Sequence, residues 1–169
     1  LNVSCPNVRE GGLAFGQDPC ILEELVRAVR RTTRRHLMVK LTPNVTDITV
    51  SARAAEQGGA NSLSLVNTFL GMAIDPATRR PRTHRRYAGL SGPAIKPLAL
   101  RMVNEVARAC HLPIAGLGGI RTWQDAVEFM IAGATIVQVG TATLADPLTM
   151  PAIIDGLAEY ARREQLGSI

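Results

Sequence analysis

The sequence predicts an α/β fold, a (β/α)8 barrel of which this chain supplies about the last five strand–helix units. Short apolar segments alternate with amphipathic segments along the 169 residues. The apolar segments lack the polar alternation of a half-solvated strand, and they therefore indicate strands buried on both faces of a parallel sheet. No Gly-x-Gly-x-x-Gly pattern follows the first strand, which disfavours a doubly wound, dinucleotide-binding sheet.

Capping residues and turn signals place the individual elements. Strands are predicted at 1–5, 37–41, 62–66, 113–116 and 135–139. Asp18 followed by Pro19 opens a helix that runs to about residue 34, and Thr46 or Asp47 caps one that ends before Gly58. Further helices are predicted over 93–110, 122–132 and 148–163. The segment 67–92 is predicted to be a long irregular loop of the kind that covers a binding site.

Composition indicates one globular domain over residues 1–169 and disfavours several classes of protein. Apolar residues make up 46% and charged residues 20%, with a net charge of +5. Aromatic residues reach only 4%, so the stacking platform of a single-strand binder is missing and no nucleic-acid partner is predicted. Three scattered cysteines form neither a disulfide framework nor a metal site, which fits a cytoplasmic protein. No apolar run reaches membrane-spanning length.

Polar and glycine residues lie on or just after each predicted strand, toward the strand ends that meet on one rim of a parallel barrel. These residues are Asn2, Cys5, Asn7, Lys40, Asn67, Thr68, Gly118, Gly119, Gly140 and Thr141. The two glycine turns would offer backbone N–H groups to an anion, and barrels frequently bind phosphate after their last strands. Two tight turns without a ligand are the alternative.

Lys40 and Cys5 are the two most reactive candidates on this rim. Lys40 ends an apolar run, where a cation needs either a ligand oxygen or a neighbouring carboxylate. Cys5 lies between Ser4 and Pro6 in a polar loop. It is either a catalytic thiol or an inert small side chain.

Seven motifs, in order along the chain, resemble class 1 dihydroorotate dehydrogenases, and most closely the class 1B type. They are NVSCPN (2–7), GGLAFGQDP (11–19), VKLTPNVTD (39–47), VNT (66–68), GLSGPAIKP (89–97), GLGGI (116–120) and VGTA (139–142). The resemblance implies a (β/α)8 barrel that holds FMN and oxidises dihydroorotate to orotate in pyrimidine biosynthesis.

The resemblance also implies a role for each matched residue. Cys5 is the catalytic base, which removes the C5 proton of dihydroorotate while hydride passes from C6 to FMN. Lys40 lies beside the pyrimidine end of the flavin, where its charge favours the reduced form. Substrate contacts fall to Asn2, Asn7, Asn67 and Thr68. FMN contacts fall to Asn2, Lys40, Val66, Gly92, Gly118, Gly119, Gly140 and Thr141.

Partners and a rival function follow from the same resemblance. Class 1B enzymes work with a second subunit that carries FAD and an iron–sulfur cluster, so that partner is implied, and a homo-oligomer is expected. The rival is the flavin domain of a dihydropyrimidine dehydrogenase, which shares the LTPNVTD stretch. Phe15 and Asn7 stand where that family is expected to have its cysteine and a histidine, which favours the orotate-forming enzyme.

The resemblance leaves the family's first three strand–helix units without a counterpart, together with a substrate-contacting lysine. We therefore expect weak or no turnover from these 169 residues alone. Two further alternatives stay open: an inactive barrel fragment that self-associates through its open edges, and a phosphate-binding barrel that uses no flavin.

Overall fold

The computed structural model describes residues 1–4 and 14–168 and shows helices arranged around a parallel sheet. The helices are α1 (Ala14–Gln17), α2 (Pro19–Thr32), α3 (Ile48–Gln57), α4 (Lys96–Ala109), α5 (Trp123–Ile131), α6 (Thr141–Ala145) and α7 (Thr149–Arg163), with a 3₁₀ turn at Pro93–Ile95. The strands are β1 (Met38–Lys40), β2 (Ser62–Leu65), β3 (Phe69–Gly71), β4 (Ile74–Asp75), β5 (Arg80–Pro81), β6 (Ala88–Leu90), β7 (Ile114–Leu117) and β8 (Ile136–Gln138).

The main sheet has the order β1-β2-β7-β8, so its strands follow one another in space as they do along the chain. All three pairings are parallel. Before β1, Asn2 forms a parallel bridge with Lys40, and the Lys40 N–H donates to the Leu1 carbonyl at 2.9 Å. In a barrel the strands are added in one direction, whereas in a doubly wound sheet the order reverses. The observed order is that of a barrel and confirms the predicted fold class.

The two faces of this sheet differ in polarity, and the difference decides where a site can form. Val39, Leu63 and Leu65 have no exposed surface, and they belong to one core that includes residues of α3 and α4. Alternation along the strands turns Ser64 to the opposite face, where its hydroxyl donates to Gln138 Oε1 at 2.8 Å. The face turned away from the helices therefore carries polar side chains, which the helix-covered face of these strands lacks.

Helix starts follow the capping signals of the sequence. Asp18 accepts from the Cys20 and Ile21 N–H groups at 2.8 and 3.1 Å. Asp47, rather than Thr46, caps α3 by accepting from the Thr49 N–H at 2.8 Å. Side-chain oxygens at these positions satisfy N–H groups that have no partner within the helix. Among the residues described, no helix has the length and apolar character needed to cross a bilayer.

The segment 67–92 departs from the irregular loop that the sequence predicts. It forms two short antiparallel ladders, β3 with β6 and β4 with β5. The inner hairpin closes because Asp75 makes a local turn: its carbonyl accepts from the Arg79 N–H at 2.7 Å and its carboxylate from the Ala77 N–H at 2.9 Å. Ladders of two or three residues are too short to give a periodic sequence signal.

Gly116→Ala should destabilise the fold, because β7 packs directly on α5. The added Cβ would lie 2.7 Å from Cδ1 of Phe129 and 3.0 Å from Cβ of Ala134. Overpacking of this kind typically costs about 1–3 kcal/mol in the free energy of unfolding, measurable by urea denaturation. Adding Phe129→Leu should recover part of the loss.

Gly140→Ala is the matched control for this substitution, since a Cβ at position 140 meets nothing within 4 Å. Its free energy of unfolding should stay close to that of the wild type. Equal stability of the Gly116→Ala variant and the wild type would contradict the close packing of β7 on α5.

Candidate functional site

A cavity of about 430 Å³ lies at the carboxyl ends of the parallel strands. The sequence-predicted residues that line it are Lys40, Val66, Asn67, Thr68, Gly92, Gly118, Gly119, Gly140 and Thr141. They come from the ends of all four strands of the main sheet and from the segment before α4. Cys5 and Asn7 lie outside the described residues, and Asn2 reaches the site through a hydrogen bond rather than by lining the cavity.

Asn67 connects the amino-terminal segment to the cavity. Its Nδ2 donates to Asn2 Oδ1 at 3.0 Å and to Ser4 Oγ at 2.9 Å, and its Oδ1 accepts from the Thr68 N–H at 2.8 Å. Ser4 itself is 2% exposed. The backbone immediately before Cys5 is therefore fixed beside a residue that lines the cavity.

Asn44 orients the loop after β2, and the sequence analysis did not single it out. Its Nδ2 donates to the Thr68 carbonyl at 3.0 Å and to Thr42 Oγ1 at 3.1 Å, while its Oδ1 accepts from the Leu70 N–H at 2.8 Å. One amide thus joins the ends of two neighbouring strands. The signal was present in the LTPN motif, where Asn44 follows a strand at the same rim.

The turn after β7 can be built only with glycine. Gly118 and Gly119 have φ angles of 130° and 80°, which disfavour any residue with a Cβ. Space is also lacking, because a Cβ on Gly118 would lie 2.7 Å from Cβ of Ala99 and one on Gly119 would lie 2.8 Å from the Gly92 carbonyl oxygen. The backbone of this turn therefore faces the cavity without side chains in the way.

The turn after β8 is held by a different contact. Thr141 Oγ1 donates to Ser91 Oγ at 2.8 Å, which ties α6 to the segment before α4. Nothing lies within 4 Å of the position of a Cβ on Gly140. Free space beside a cavity-lining glycine leaves room for a ligand to approach the backbone.

Positive charge dominates the cavity lining. Among the described residues, Lys40 and Arg121 are its two cations and no carboxylate lines it. Lys40 forms no ion pair within residues 1–4 and 14–168, so the salt-bridge alternative for this residue finds no support there. Arg121, Ser91 and Gln138 were not predicted as site residues, although each lies within or beside a motif already identified.

The arrangement suits an elongated, partly anionic ligand. Two glycine turns and Arg121 lie at one side of the cavity, and Lys40, Asn67 and Thr68 lie at the ends of β1 and β2. Backbone N–H groups of the two glycine turns can bind a phosphate. Apolar side chains such as Ile95 and Leu117 line the same cavity and can contact a flat ring system.

Comparison with known proteins identifies the family. A family model described as dihydroorotate dehydrogenase matches residues 1–160. The chain belongs to the dihydroorotate dehydrogenase family. The family is flavin-dependent and adopts the barrel fold, in agreement with the strand order described above.

Relatives of the dihydroorotate dehydrogenase family resemble this chain over nearly all of its length. "Dihydroorotate dehydrogenase B (NAD(+)), catalytic subunit" of Phocaeicola vulgatus is 53% identical over 100% of this chain and 56% of its own length. The protein of the same name from Alkaliphilus oremlandii is 54% identical over 95% of this chain and 53% of its own length. A provisionally named dihydroorotate dehydrogenase A (fumarate) of Solibacter usitatus is 54% identical over 97% of this chain and 54% of its own length. The chain thus spans about half the length of the curated relatives it matches.

Gly89→Ala should disturb the loop that carries Thr68, because a Cβ at position 89 would fall 2.8 Å from Cβ of Thr68. We expect a loss of about 1–3 kcal/mol in the free energy of unfolding, as for other overpacked sites. Gly71→Ala, on the facing strand β3, is the control, because its Cβ would come no nearer than 3.4 Å to any neighbour. If the two variants unfold at the same urea concentration, Thr68 is not held by β6.

Proposed function

We propose that this protein is the flavin-binding, catalytic component of a dihydroorotate dehydrogenase and acts in pyrimidine biosynthesis. The observation that carries the proposal is the convergence of Lys40, Asn67 and two glycine turns on one cavity. The family membership and the relatives' names support dihydroorotate as the substrate and orotate as the product. They favour it over the dihydropyrimidine dehydrogenase alternative and over a phosphate-binding barrel without flavin.

FMN is the proposed cofactor, and the cavity residues fit it. The turns at Gly118–Gly119 and Gly140–Thr141 would hold the phosphate through backbone N–H groups, and a Cβ at position 118 or 119 could not be accommodated. Val66 and Gly92 line the space between these turns and the ends of β1 and β2. When bound, FMN supplies the hydride-accepting ring that no amino-acid side chain can provide.

Lys40 is proposed to lie at the pyrimidine end of the flavin. Its ammonium group lines the cavity and has no carboxylate partner among the described residues. A positive charge there stabilises the negative charge that develops on a reduced ring. Lys40 would therefore favour transfer of electrons to the ring.

Cys5 is the proposed general base. It follows Ser4, whose hydroxyl accepts a hydrogen bond from the cavity-lining Asn67, so the residue before Cys5 lies at the rim of the cavity. A thiolate at this point would take the C5 proton of dihydroorotate as hydride leaves C6, which forms the C5–C6 double bond of orotate. The adjoining Asn2 and Asn7 are proposed to assist in binding the substrate.

Asn67 and Thr68 are the proposed substrate contacts within the described residues. Their amide and hydroxyl groups can donate and accept hydrogen bonds at the edge of a pyrimidine ring. The Asn44 bonds to the Thr68 carbonyl and the Leu70 N–H hold this loop in place. A loop fixed before the substrate arrives loses little freedom when it binds.

The proposed partner is an electron-transfer subunit that carries FAD and an iron–sulfur cluster. The B (NAD(+)) catalytic subunits among the relatives support it, although a fumarate-type relative is equally similar. A cytoplasmic location is part of the same proposal, supported by the three scattered cysteines, whose small number is typical of a reducing compartment.

A homo-oligomer is also proposed, on account of apolar side chains beyond β8. Leu144 is 88% exposed and Leu148 is 70% exposed, on and beside α6. Ile136 on β8 and Ile154 on α7 are exposed close by in the chain. An apolar surface of this kind is typical of a face that another polypeptide covers. A second copy of the chain is the proposed occupant, and the part of the longer relatives that has no counterpart here is the alternative.

The proposal is tested by flavin uptake and by replacement of Cys5. The native protein should bind FMN, and dihydroorotate should bleach the absorbance of the bound flavin under anaerobic conditions. Cys5→Ala should bind FMN as well as the wild type but slow this reduction by roughly 10²–10⁴-fold, the usual contribution of a general base. Stopped-flow absorbance gives the rate directly.

Cys20→Ala provides the control, since Cys20 is an exposed thiol on α2. Its reduction rate should match that of the wild type. Equal rates in Cys5→Ala and wild type would remove Cys5 from the mechanism, and a native protein that takes up no FMN would overturn the proposed function as a whole.

A further inference from the structure

Lys96 forms an ion pair beside the glycine turn that no proposed role accounts for. Its Nζ lies 2.7 Å from Asp125 Oδ1, and it lies 3.1 and 3.0 Å from the two carboxylate oxygens of Glu128. The side chains of Lys96 and Asp125 are only 26% and 14% exposed. Its partial burial distinguishes this pair from the exposed Arg101–Glu105 pair on α4, which contributes little to stability.

The second oxygen of Asp125 connects this ion pair to the turn. Asp125 Oδ2 accepts from the Arg121 and Thr122 N–H groups at 2.9 and 3.0 Å. These two residues follow Gly119 and Ile120 and lead into α5. One carboxylate therefore links the Lys96 ammonium to the backbone just after the proposed phosphate cradle.

The backbone of Lys96 touches the same turn from the other side. A Cβ on Gly119 would lie 3.0 Å from both the backbone nitrogen and the Cβ of Lys96. The start of α4 thus lies against Gly119, while the Lys96 side chain extends to α5. This residue holds two helix starts together on either side of one glycine.

The charges of this cluster can affect the binding of an anionic ligand. Acidic residues near the start of a helix stabilise the helix, but Asp125 and Glu128 also place negative charge close to the N–H groups proposed to bind phosphate. Lys96 is the cation that offsets them. Removal of one partner from such a cluster leaves the remaining charges uncompensated.

The ionisation of the pair supports this arrangement at neutral pH. Burial raises the pKa of Asp125, but hydrogen bonds from Lys96 and from the Arg121 and Thr122 N–H groups outweigh burial and leave that pKa below its ordinary value. Hydrogen bonds to Asp125 and then to Glu128 raise the pKa of Lys96. Lys96 is therefore a cation and Asp125 an anion at physiological pH.

We propose that Lys96 is a positioning residue for the phosphate end of the ligand site: it offsets the charge of Asp125 and Glu128 and fixes the Gly118–Gly119 turn, so that a phosphomonoester can bind there. The inference rests on the proposed flavin site. It predicts that replacement of Lys96 weakens the binding of a ligand that has a phosphate group. The affinity for the same ligand without that group should stay the same.

This role can be tested with two flavins, FMN and riboflavin, which differ only in the phosphate group. The native protein and its Lys96→Gln variant would be titrated with FMN and with riboflavin, and the quenching of flavin fluorescence gives each Kd. Lys96→Gln should weaken FMN binding by about ten-fold or more and change riboflavin binding less than about two-fold. Without Lys96, the carboxylates of Asp125 and Glu128 would repel the phosphate of FMN, and riboflavin has no phosphate to be repelled. Lys96→Arg, which keeps the charge, should restore most of the FMN affinity.

Arg101→Gln is the matched control, since it removes an exposed pair with Glu105 on the same helix α4. Its ratio of FMN to riboflavin affinity should equal that of the wild type. Adding Glu128→Gln to Lys96→Gln returns the cluster to its original net charge and should recover at least part of the lost FMN affinity.

Three outcomes would overturn the inference. An unchanged affinity ratio in Lys96→Gln would contradict it, and so would an equal loss of both flavins, which indicates general structural damage. Failure of the Glu128→Gln addition to recover FMN binding would remove the charge argument. A wild-type protein that binds neither flavin would instead refute the proposed function, so the two failures are distinguishable.

Discussion

The close approach of two helix starts at Gly119 is the constraint on which the rest of the site depends. The Gly92 carbonyl and the Lys96 backbone leave no room for a side chain there, and the φ angle of 80° is one that glycine adopts freely. Because the turn is so tight, its backbone is exposed to the cavity and α5 begins directly behind it. Backbone N–H groups that a glycine turn exposes are suited to phosphate, so this local crowding produces the anion-binding side of the cavity.

The opposite side of the cavity is organised by side-chain amides rather than by glycine. Asn67 and Asn44 between them bond to Asn2, Ser4 and the Thr68 backbone, which joins three neighbouring segments at the carboxyl ends of the sheet. Amides can serve this purpose because each provides both donors and an acceptor. Apart from Lys40 at the end of β1, the strands below supply none of the proposed reactive side chains. They bring the phosphate side and the reactive side of the proposed site to one rim.

Several elements could be predicted from the sequence because a local physical signal marks them. Asp18 and Asp47 cap their helices as expected, and the buried strands at 62–65 and 114–117 lie within a residue or two of their predicted positions. The ladders within 67–92 were missed because strands of two or three residues have no periodicity. The roles of Asn44 and Lys96 depend on partners 24 and 29 residues away, and no local pattern reports such contacts. Cys5 and Asn7 rest on their place in the sequence and on the family resemblance, since they lie outside the described residues.

A crystal structure of the native protein with FMN tests the central claim most directly, since that claim concerns where each end of the cofactor lies. The account predicts a phosphate oxygen within about 3.2 Å of a backbone nitrogen in each glycine turn, at Gly119 and at Thr141, with the isoalloxazine ring beside Lys40. A phosphate bound at Lys40, or a flavin bound outside the cavity, would contradict the account.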